Sequence, residues 1–297
     1  MKSNIPDSRE DDLSTVILLG WGKLNRQLPA LLPEDTRCIA ASRHTPDALP
    51  PNTEHVRLDV TRPGDFTRLP GYADALVYCL SPQGRDEAAY QAVFDTGLRN
   101  LIARFPRTRI GRLIFVSSTS VYAQNDGCWV DETSETQPVS TTARILLRGE
   151  QRLREAAYPL TVVRFSGIYG GSRSAFLDAV LTGQVPVTPP SPWTNRVHEQ
   201  DAAGILAHLV SRSLRGESLD DLYIGTDCEP VQRHVLARWI LDHSECGTQP
   251  LPDAQWPARG GSKRLSNARL LATGYDFRHP DYMSGYAAML RESGHYR

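Results

Sequence analysis

Six short apolar runs, with helical stretches between most of them, constrain the fold more than any other feature of the sequence. They lie at residues 15–19, 37–41, 56–60, 75–80, 112–117 and 160–165. Continuous apolar runs of this length are typical of strands buried on both faces of a parallel sheet. Strands that alternate with helices predict right-handed βαβ units. We therefore predict an α/β fold with a Rossmann-type, doubly wound parallel sheet and a small C-terminal lobe.

A glycine loop follows the first predicted strand directly. The loop reads Gly20-Trp21-Gly22-Lys23-Leu24 and continues into Asn25. In a dinucleotide fold the first glycine permits the tight turn, and the second lets the backbone approach a pyrophosphate. Asn25 occupies the place where a third glycine normally lets the helix pack closely on the strand. The pattern predicts a nicotinamide dinucleotide site at this loop, and the alternative interpretation is an ordinary βα turn.

The end of the second predicted strand should distinguish the two nicotinamide dinucleotides. No acidic residue stands there to bind a ribose 2′-hydroxyl, whereas Ser42 and Arg43 could hold a 2′-phosphate. We therefore predict NADP(H) in preference to NAD(H), although a solvated surface arginine would give the same pattern. Asp59, after the third strand, either accepts a hydrogen bond from the adenine or caps the next turn.

The pattern divides the chain into a polar leader at 1–12, a dinucleotide-binding domain at 13–170 and a mainly substrate-binding lobe at 171–297. Residues 202–226 are expected to return to the Rossmann sheet. Four prolines make 183–193 irregular. The predicted helices are 24–32, 86–105, 142–157, 202–211, 231–242 and 267–272, and a short strand is predicted at 222–224.

Composition excludes several classes of protein. The chain has 33 basic and 34 acidic residues, so a broadly basic nucleic-acid surface is not expected. Its five cysteines include no CxxC pair, which predicts reduced thiols rather than zinc ligands or disulfides. It shows neither a signal peptide nor an apolar run long enough for a membrane span. We expect a cytoplasmic protein that binds no metal.

Three further segments carry a family resemblance. They are Phe115-Val116-Ser117-Ser118-Thr119-Ser120-Val121-Tyr122, Arg164-Phe165-Ser166-Gly167-Ile168-Tyr169-Gly170 and Arg196-Val197-His198-Glu199-Gln200-Asp201. With these segments the chain resembles the NAD-dependent epimerase/dehydratase family, or extended short-chain dehydrogenases/reductases. Trp129-Val130-Asp131-Glu132 and Lys263-Arg264-Leu265-Ser266-Asn267 resemble an atypical branch of that family.

The resemblance implies a set of site residues in addition to the glycine loop. Ser118 is the implied catalytic Ser/Thr, and Tyr169 is a candidate proton donor. The implied cofactor contacts are Leu80, Ser81, Ser117 and Gly167. The implied substrate contacts are Thr119, Thr142, Arg196 and His198.

The family's Tyr and Lys, spaced as YxxxK on one helix face, are missing here. If Glu150 matches the family's glutamate, then Thr142 and Leu146 stand in the tyrosine and lysine places. Neither side chain can supply an acid or base near neutral pH, and general acid–base catalysis typically contributes ~10²- to 10⁴-fold. Candidate replacements are Tyr122, Arg144, Tyr169 and His198.

Three functions are compatible with the sequence. The first is an NADP(H)-dependent oxidoreductase or epimerase that acts on a small or sugar-like substrate with unusual acid–base residues. The second is a catalytically silent NADP(H)-binding sensor or regulator, and the third is a scaffolding subunit. A homodimer through helices 86–105 and 142–157 is also open, although the arginines of the second helix weaken it.

Overall fold

Thirteen strands lie in the part of the chain that the structure, a computed structural model, describes: residues 13–251, 254–257 and 261–297. They are β1 (Ser14–Leu19), β2 (Thr36–Ser42), β3 (Thr53–Arg57), β4 (Ala73–Tyr78), β5 (Ile110–Ser118), β6 (Trp129–Val130), β7 (Leu160–Phe165), β8 (Gly167–Tyr169), β9 (Trp193–Thr194), β10 (Arg196–His198), β11 (Leu222–Gly225), β12 (Val231–Gln232) and β13 (Arg264–Leu265). The leader predicted at 1–12 lies outside the described residues.

Eight α-helices accompany these strands in the described ranges. They are α1 (Glu87–Gln91), α2 (Leu98–Arg104), α3 (Thr141–Glu155), α4 (Ala175–Leu181), α5 (Glu199–Leu214), α6 (Arg233–Asp242), α7 (Ala268–Leu271) and α8 (Tyr282–Glu292). A π-helical stretch, Ala92–Gly97, joins α1 to α2. Short 3-10 helices lie at Asn25–Ala30, Pro63–Arg68, Arg107–Arg109 and Thr119–Val121.

Seven of the strands form one parallel sheet in the order β3-β2-β1-β4-β5-β7-β11. This order confirms the predicted Rossmann-type sheet. The chain moves outward from β1 to β3 and then returns to place β4 on the other side of β1. A crevice therefore opens at the carboxyl ends of β1 and β4, which is where open α/β sheets bind ligands.

Apolar side chains cover both faces of this sheet. In β1, Ile17 and Leu19 face a core that includes Leu146 of α3. Val16 and Leu18 face the opposite core, which includes Leu206 of α5. Successive residues of a strand point to opposite faces, so a continuous apolar run is what a strand buried on both sides requires.

Two predicted helices differ in kind from what forms. The helix predicted at 24–32 is only the 3-10 helix Asn25–Ala30, which contains Pro29, a residue without the N–H that an α-helical bond needs. The helix predicted at 86–105 carries the π-helical stretch in its middle. There the Tyr78 hydroxyl donates to Val93 O at 2.7 Å, so a side chain enters the helical hydrogen-bond ladder.

The third predicted strand lies earlier than expected, at Thr53–Arg57 rather than 56–60. The apolar residues Leu58 and Val60 that suggested the later position are buried beyond the strand's end. The other sheet strands lie within two residues of their predicted bounds at each end. β7 occupies the predicted range, and β11 pairs with it in parallel.

The remaining strands build the lobe beside the sheet. β8 pairs with β10, and β9 pairs with β12. A separate apolar core joins α4, α6 and α8. β6 pairs with β13, so two segments distant in sequence meet at the edge of the lobe. Among the described residues no helix has both the length and the apolar character needed to cross a bilayer.

Candidate functional site

A cleft of about 580 Å³ opens at the carboxyl ends of β1, β2 and β4, and we call it the switch-point cleft. Ten of the predicted cofactor residues line it: Gly20, Trp21, Gly22, Lys23, Leu24, Ser42, Arg43, Asp59, Leu80 and Ser81. Its position is the one at which doubly wound sheets bind dinucleotides. The fold therefore brings the residues of four separate sequence segments to one surface.

The backbone at the glycine loop fits the close approach of a ligand. Gly20 has φ +92°, and a Cβ there would collide with the carbonyl oxygen of Cys79 and lie 2.9 Å from the Leu80 side chain. No atom comes within 4 Å of the place where a Gly22 Cβ would stand. Gly20 is thus required by the turn, whereas Gly22 leaves space on the cleft wall for a pyrophosphate.

Asn25, at the position of the third glycine, makes hydrogen bonds that hold the glycine loop. Its side chain is fully buried, and Nδ2 donates to Leu19 O at 3.2 Å and to Gly20 O at 2.8 Å. The amide therefore ties the end of β1 to the turn that follows. These two bonds hold the glycine loop from the buried side and leave its cleft side open.

The far end of the switch-point cleft carries the predicted ribose discriminators. Ser42 Oγ donates to His44 O at 2.9 Å, while Arg43 is exposed at the rim. Asp59 accepts from the backbone and hydroxyl of Thr61, at 3.0 and 2.7 Å. Partial burial would raise the pKa of Asp59, but these bonds and the nearby charge of Arg43 lower it below its ordinary value. Asp59 is therefore an ionised residue within electrostatic reach of Arg43.

A second cavity of about 560 Å³ lies between the ends of β5 and β8 and the lobe, and we call it the lobe cavity. It adjoins the switch-point cleft, because Ile168 and Arg173 line both. Five predicted site residues line it: Ser118, Thr119, Gly167, Tyr169 and Arg196. Gly167, predicted to contact the cofactor, lines the lobe cavity rather than the cleft.

The lobe cavity is strongly cationic. Arg173, Arg196, Arg233 and Lys263 line it, and no carboxylate is among its described lining residues. Glu199 binds Arg173 at 3.1 Å and so offsets one of these charges. The Arg196 guanidinium lies 4.2 Å from the Phe176 ring centroid, which orients it over an aromatic wall. Such a cavity is suited to an anionic ligand.

Ser118 and Tyr169 differ in what their hydroxyls can reach. Ser118 caps the 3-10 turn Thr119–Val121, where its Oγ accepts from Ser120 N at 3.1 Å, and it is partly exposed in the cavity. The Tyr169 hydroxyl is buried where a Cβ on Gly285 would overlap it. Burial raises the pKa of Tyr169 above its ordinary value. The geometry favours Ser118 as a substrate contact and disfavours Tyr169 as a proton donor.

Three predicted site residues line neither cavity. Thr142 lies in the first turn of α3, with Oγ1 3.2 Å from Ser140 Oγ. His198 is buried, and burial together with nearby His279 lowers its pKa to about 4. Ser117 is also buried, and its Oγ donates to Glu150 Oε1 at 2.5 Å. Leu146, in the lysine place, is buried in the sheet core.

Glu150, Arg164 and Tyr122 form a buried polar network beneath the lobe cavity. Arg164 Nε and Nη2 donate to Glu150 Oε1 and Oε2 at 3.1 and 2.6 Å, and Nη1 donates to the Tyr122 hydroxyl at 2.8 Å. Two parallel bonds between guanidinium and carboxylate fix both planes. Tyr122 and Glu150 therefore position strands and helix, and neither hydroxyl nor carboxylate reaches the cavity lining.

His198, Asp201 and His279 form a compact buried group with potential ligand atoms within 4.8 Å of one another. The carboxylate is already engaged, because Asp201 Oδ1 accepts from Tyr275 OH and Arg278 N, and Oδ2 accepts from His279 N. These bonds join α5 to the segment before α8. Asp201 acts here as a structural acceptor for the C-terminal segment.

Sequence reasoning missed three cations of the lobe cavity: Arg173, Arg233 and Lys263. The first two have no local signal, since arginine is common throughout the chain. Lys263 stands in a segment that resembles the family's atypical branch. Its rarity is a signal that was available, because only three of the 33 basic residues are lysines.

Comparisons with known proteins extend this description. The family model described as the RmlD substrate binding domain matches residues 83–293. A structure from Methylobacillus flagellatus, described as a candidate NAD-dependent epimerase/dehydratase, is 33% identical; the match covers 95% of this chain and 99% of that one, with a TM-score of 0.78.

Two further relatives are more distant. Protein YeeZ of Escherichia coli K12 is 28% identical over 222 residues, which are 70% of this chain and 73% of that protein. The Bordetella bronchiseptica enzyme WbmG, solved with NAD and UDP, is 18% identical with a TM-score of 0.74, over 94% of this chain and 95% of that one. At that identity the likeness to WbmG shows the fold alone.

Proposed function

Because the chain belongs to the NAD-dependent epimerase/dehydratase family, we propose that it is an NADP(H)-dependent oxidoreductase or epimerase acting on an anionic, sugar-like small molecule. The observation that carries this proposal is the pair of adjoining cavities. One begins at the glycine loop, and the other is lined by three arginines and a lysine. A bound nicotinamide would supply or accept a hydride where the two meet.

The switch-point cleft fits a dinucleotide. The Gly20 turn, the free space beside Gly22 and the position at the sheet's crossover all suit a bound pyrophosphate. Gly20, Gly22 and Lys23 would hold the pyrophosphate, and Arg43 would pair with a 2′-phosphate. Ser42, whose hydroxyl already donates to His44 O, would contribute less than the sequence suggests.

Cofactor titration tests this assignment. NADPH should bind the wild-type protein more tightly than NADH, and Arg43→Gln should weaken NADPH binding by ~10-fold or more, because it removes a charge-assisted bond. NADH binding should change by less than about twofold, since its ribose carries no 2′-phosphate. Fluorescence titration of both cofactors gives the four dissociation constants.

Arg57→Gln is the matched control, because Arg57 is an exposed arginine at the end of β3 outside the cleft. It should leave both affinities unchanged. Tighter binding of NADH than of NADPH by the wild-type protein would contradict the cofactor preference. Equal weakening of both cofactors by Arg43→Gln would contradict the 2′-phosphate contact.

Turnover tests the catalytic part of the proposal. We expect oxidation of NADPH with a carbonyl compound from a panel that includes phosphorylated sugars, carboxylated sugars and UDP-sugars. Arg196→Gln and Arg233→Gln should raise KM for an anionic substrate. Arg238→Gln, on the exposed face of α6 and outside the lobe cavity, should leave KM unchanged.

One observation favours a second candidate function, a catalytically silent NADP(H)-binding regulator. Leu146, at the position of the family's catalytic lysine, is buried in the apolar core. Thr142, at the position of the tyrosine, lines neither cavity. A protein of this second kind would bind NADPH with the predicted preference and show no turnover with any carbonyl compound.

A further inference from the structure

Lysine is rare in this chain, and its placement is selective. Of 33 basic residues only Lys2, Lys23 and Lys263 are lysines. Lys2 lies outside the described residues. Lys23 lines the switch-point cleft, and Lys263 lines the lobe cavity. In the part of the chain that the structure describes, every lysine therefore lies on the wall of one of the two cavities.

Lys263 is held firmly in that wall. Only 3% of its surface is exposed, and lysines are rarely buried to this degree. Its Nζ donates to Tyr122 O at 3.0 Å. Its backbone oxygen accepts from Asn195 Nδ2 at 2.9 Å, and β13 begins at the next residue and pairs with β6. The ammonium group is consequently placed by two independent anchors rather than by a flexible surface stem.

Its location is next to the segment that carries the implied catalytic serine. Tyr122, which accepts the Lys263 bond, directly follows the turn Thr119–Val121 that Ser118 caps. Ser118, Thr119 and Lys263 all line the lobe cavity. Lys263 thus lies on the same cavity wall as Ser118.

Lysine can do what the neighbouring arginines cannot. Arginine keeps its proton in proteins, whereas a buried lysine can release one. Burial lowers the pKa of Lys263, and a charge on Cys128, on the segment before β6, would partly oppose this shift. The other charged groups of the cavity wall are Arg173, Arg196 and Arg233, and the residue that follows Lys263 is Arg264.

We propose that Lys263 is a catalytic residue whose Nζ exchanges a proton with a substrate oxygen in the lobe cavity, in place of the missing Tyr and Lys of α3. This inference rests on the proposed oxidoreductase function. In the reducing direction an N–H bond of the ammonium breaks and an O–H bond forms on the substrate. The neutral amine then takes a proton back from water. The hydride that the adjoining carbon requires is what a reduced nicotinamide supplies.

The first test measures the proton itself and needs no substrate. Trace acetylation of the full-length protein with acetic anhydride from pH 6 to 11, followed by peptide mass spectrometry, resolves each of the three lysines. The acetylation midpoint of Lys263 should lie below ~10.4, the ordinary lysine value. A midpoint at or above that value, or no reaction up to pH 11, would overturn the proposal.

The second test separates proton transfer from a structural role. Lys263→Arg keeps a donor for Tyr122 O and a positive charge, whereas Lys263→Met removes both. If Lys263 acts on the substrate, Lys263→Arg should retain the Tm and NADPH affinity of the wild-type protein. Its kcat should fall at least tenfold. The plot of kcat against pH should also lack the ionisation that Lys263 contributes in the wild-type protein.

The two proposals fail in different ways. If Lys263→Arg restores the turnover that Lys263→Met loses, Lys263 is a structural residue and the inference is overturned while the oxidoreductase function stands. If the wild-type protein turns over no carbonyl compound, the oxidoreductase function is overturned and the catalytic role of Lys263 with it.

Discussion

Asp227 is the residue whose state the surrounding structure most clearly controls. It is 2% exposed, and no side chain among the described residues donates a hydrogen bond to its carboxylate. Burial raises its pKa well above the ordinary value, although a backbone N–H of Glu229 and the nearby charge of Arg196 oppose the shift. A carboxyl group in this position is more stable neutral than ionised.

Asp227→Asn should therefore stabilise the protein at neutral pH. The raised pKa means that the carboxyl's contribution to stability is complete below about pH 4, its ordinary pKa, and is lost as the pH rises through the folded value. Asparagine has the same shape and no charge, so the gain should be ~1–3 kcal/mol at pH 8 and near zero at pH 4. Urea denaturation at both pH values measures it.

Asp220→Asn is the control, since Asp220 is exposed and should show no such pH-dependent gain. A loss of stability in Asp227→Asn at pH 8 would instead mean that Asp227 is ionised and paired with Arg196.

At the scale of elements, the network of Glu150, Arg164 and Ser117 joins α3 to β7 and β5. Glu150 is fully buried and Arg164 is 4% exposed. Water reaches neither charge, so each residue compensates the charge of the other. The motif that places Glu150 four residues after Leu146 identified a position, but only the packing shows that the position is structural.

Glu150→Ala should cost ~3–5 kcal/mol, because it leaves the Arg164 guanidinium buried without its partner. Urea denaturation measures the loss. Arg154→Gln is the matched comparison: it removes a partner of Glu150 that is 39% exposed and lies 3.5 Å away, and should cost less than about 1 kcal/mol. A smaller loss in Glu150→Ala than in Arg154→Gln would show that the buried pair does not hold α3.

Elements were predictable where local chemistry decides them. β7 has the predicted bounds because its mainly apolar run begins soon after the turn at residues 156–157. The 24–32 helix was wrong in kind because Pro29 outweighs the apolar spacing around it. The π-helical stretch was not predictable, since it involves a long-range contact. The hydroxyl of Tyr78, at the end of β4, donates to Val93 O.

At the scale of the molecule, the segment 170–173 borders both cavities. Arg173 lines both, its backbone N donates to Gly170 O at 3.0 Å, and its side chain pairs with Glu199. Lys23 of the glycine loop contacts Ser172 Oγ. The segment 170–173 is therefore linked to both the cleft and the cavity.

NADP⁺ binding should slow hydrogen exchange in segment 170–173 as well as in the glycine loop. At a concentration of 100 times Kd the slowing can reach ~100-fold for amides whose opening requires release of the ligand. Hydrogen-exchange mass spectrometry with and without NADP⁺ measures it, and α6 serves as the internal control because it does not line the cleft. Protection confined to residues 20–24 would show that the segment does not couple the two sites.

The sequence by itself determined the sheet and the glycine turn. A strand buried on both faces must be continuously apolar. A residue at φ +92° whose Cβ would collide with Cys79 O must be glycine. Both requirements are therefore visible in the local sequence. The absence of the YxxxK pair is equally visible in the sequence, because the pair is defined by its spacing along one helix.

Only the tertiary structure decided which polar side chains share a cavity. Ser117 and Ser118 are neighbours in sequence, yet strand alternation turns one toward Glu150 and the other toward the lobe cavity. Lys263 joins Ser118 there through the pairing of β13 with β6, far apart in the chain. Such contacts depend on long-range packing, so the local sequence pattern cannot predict them.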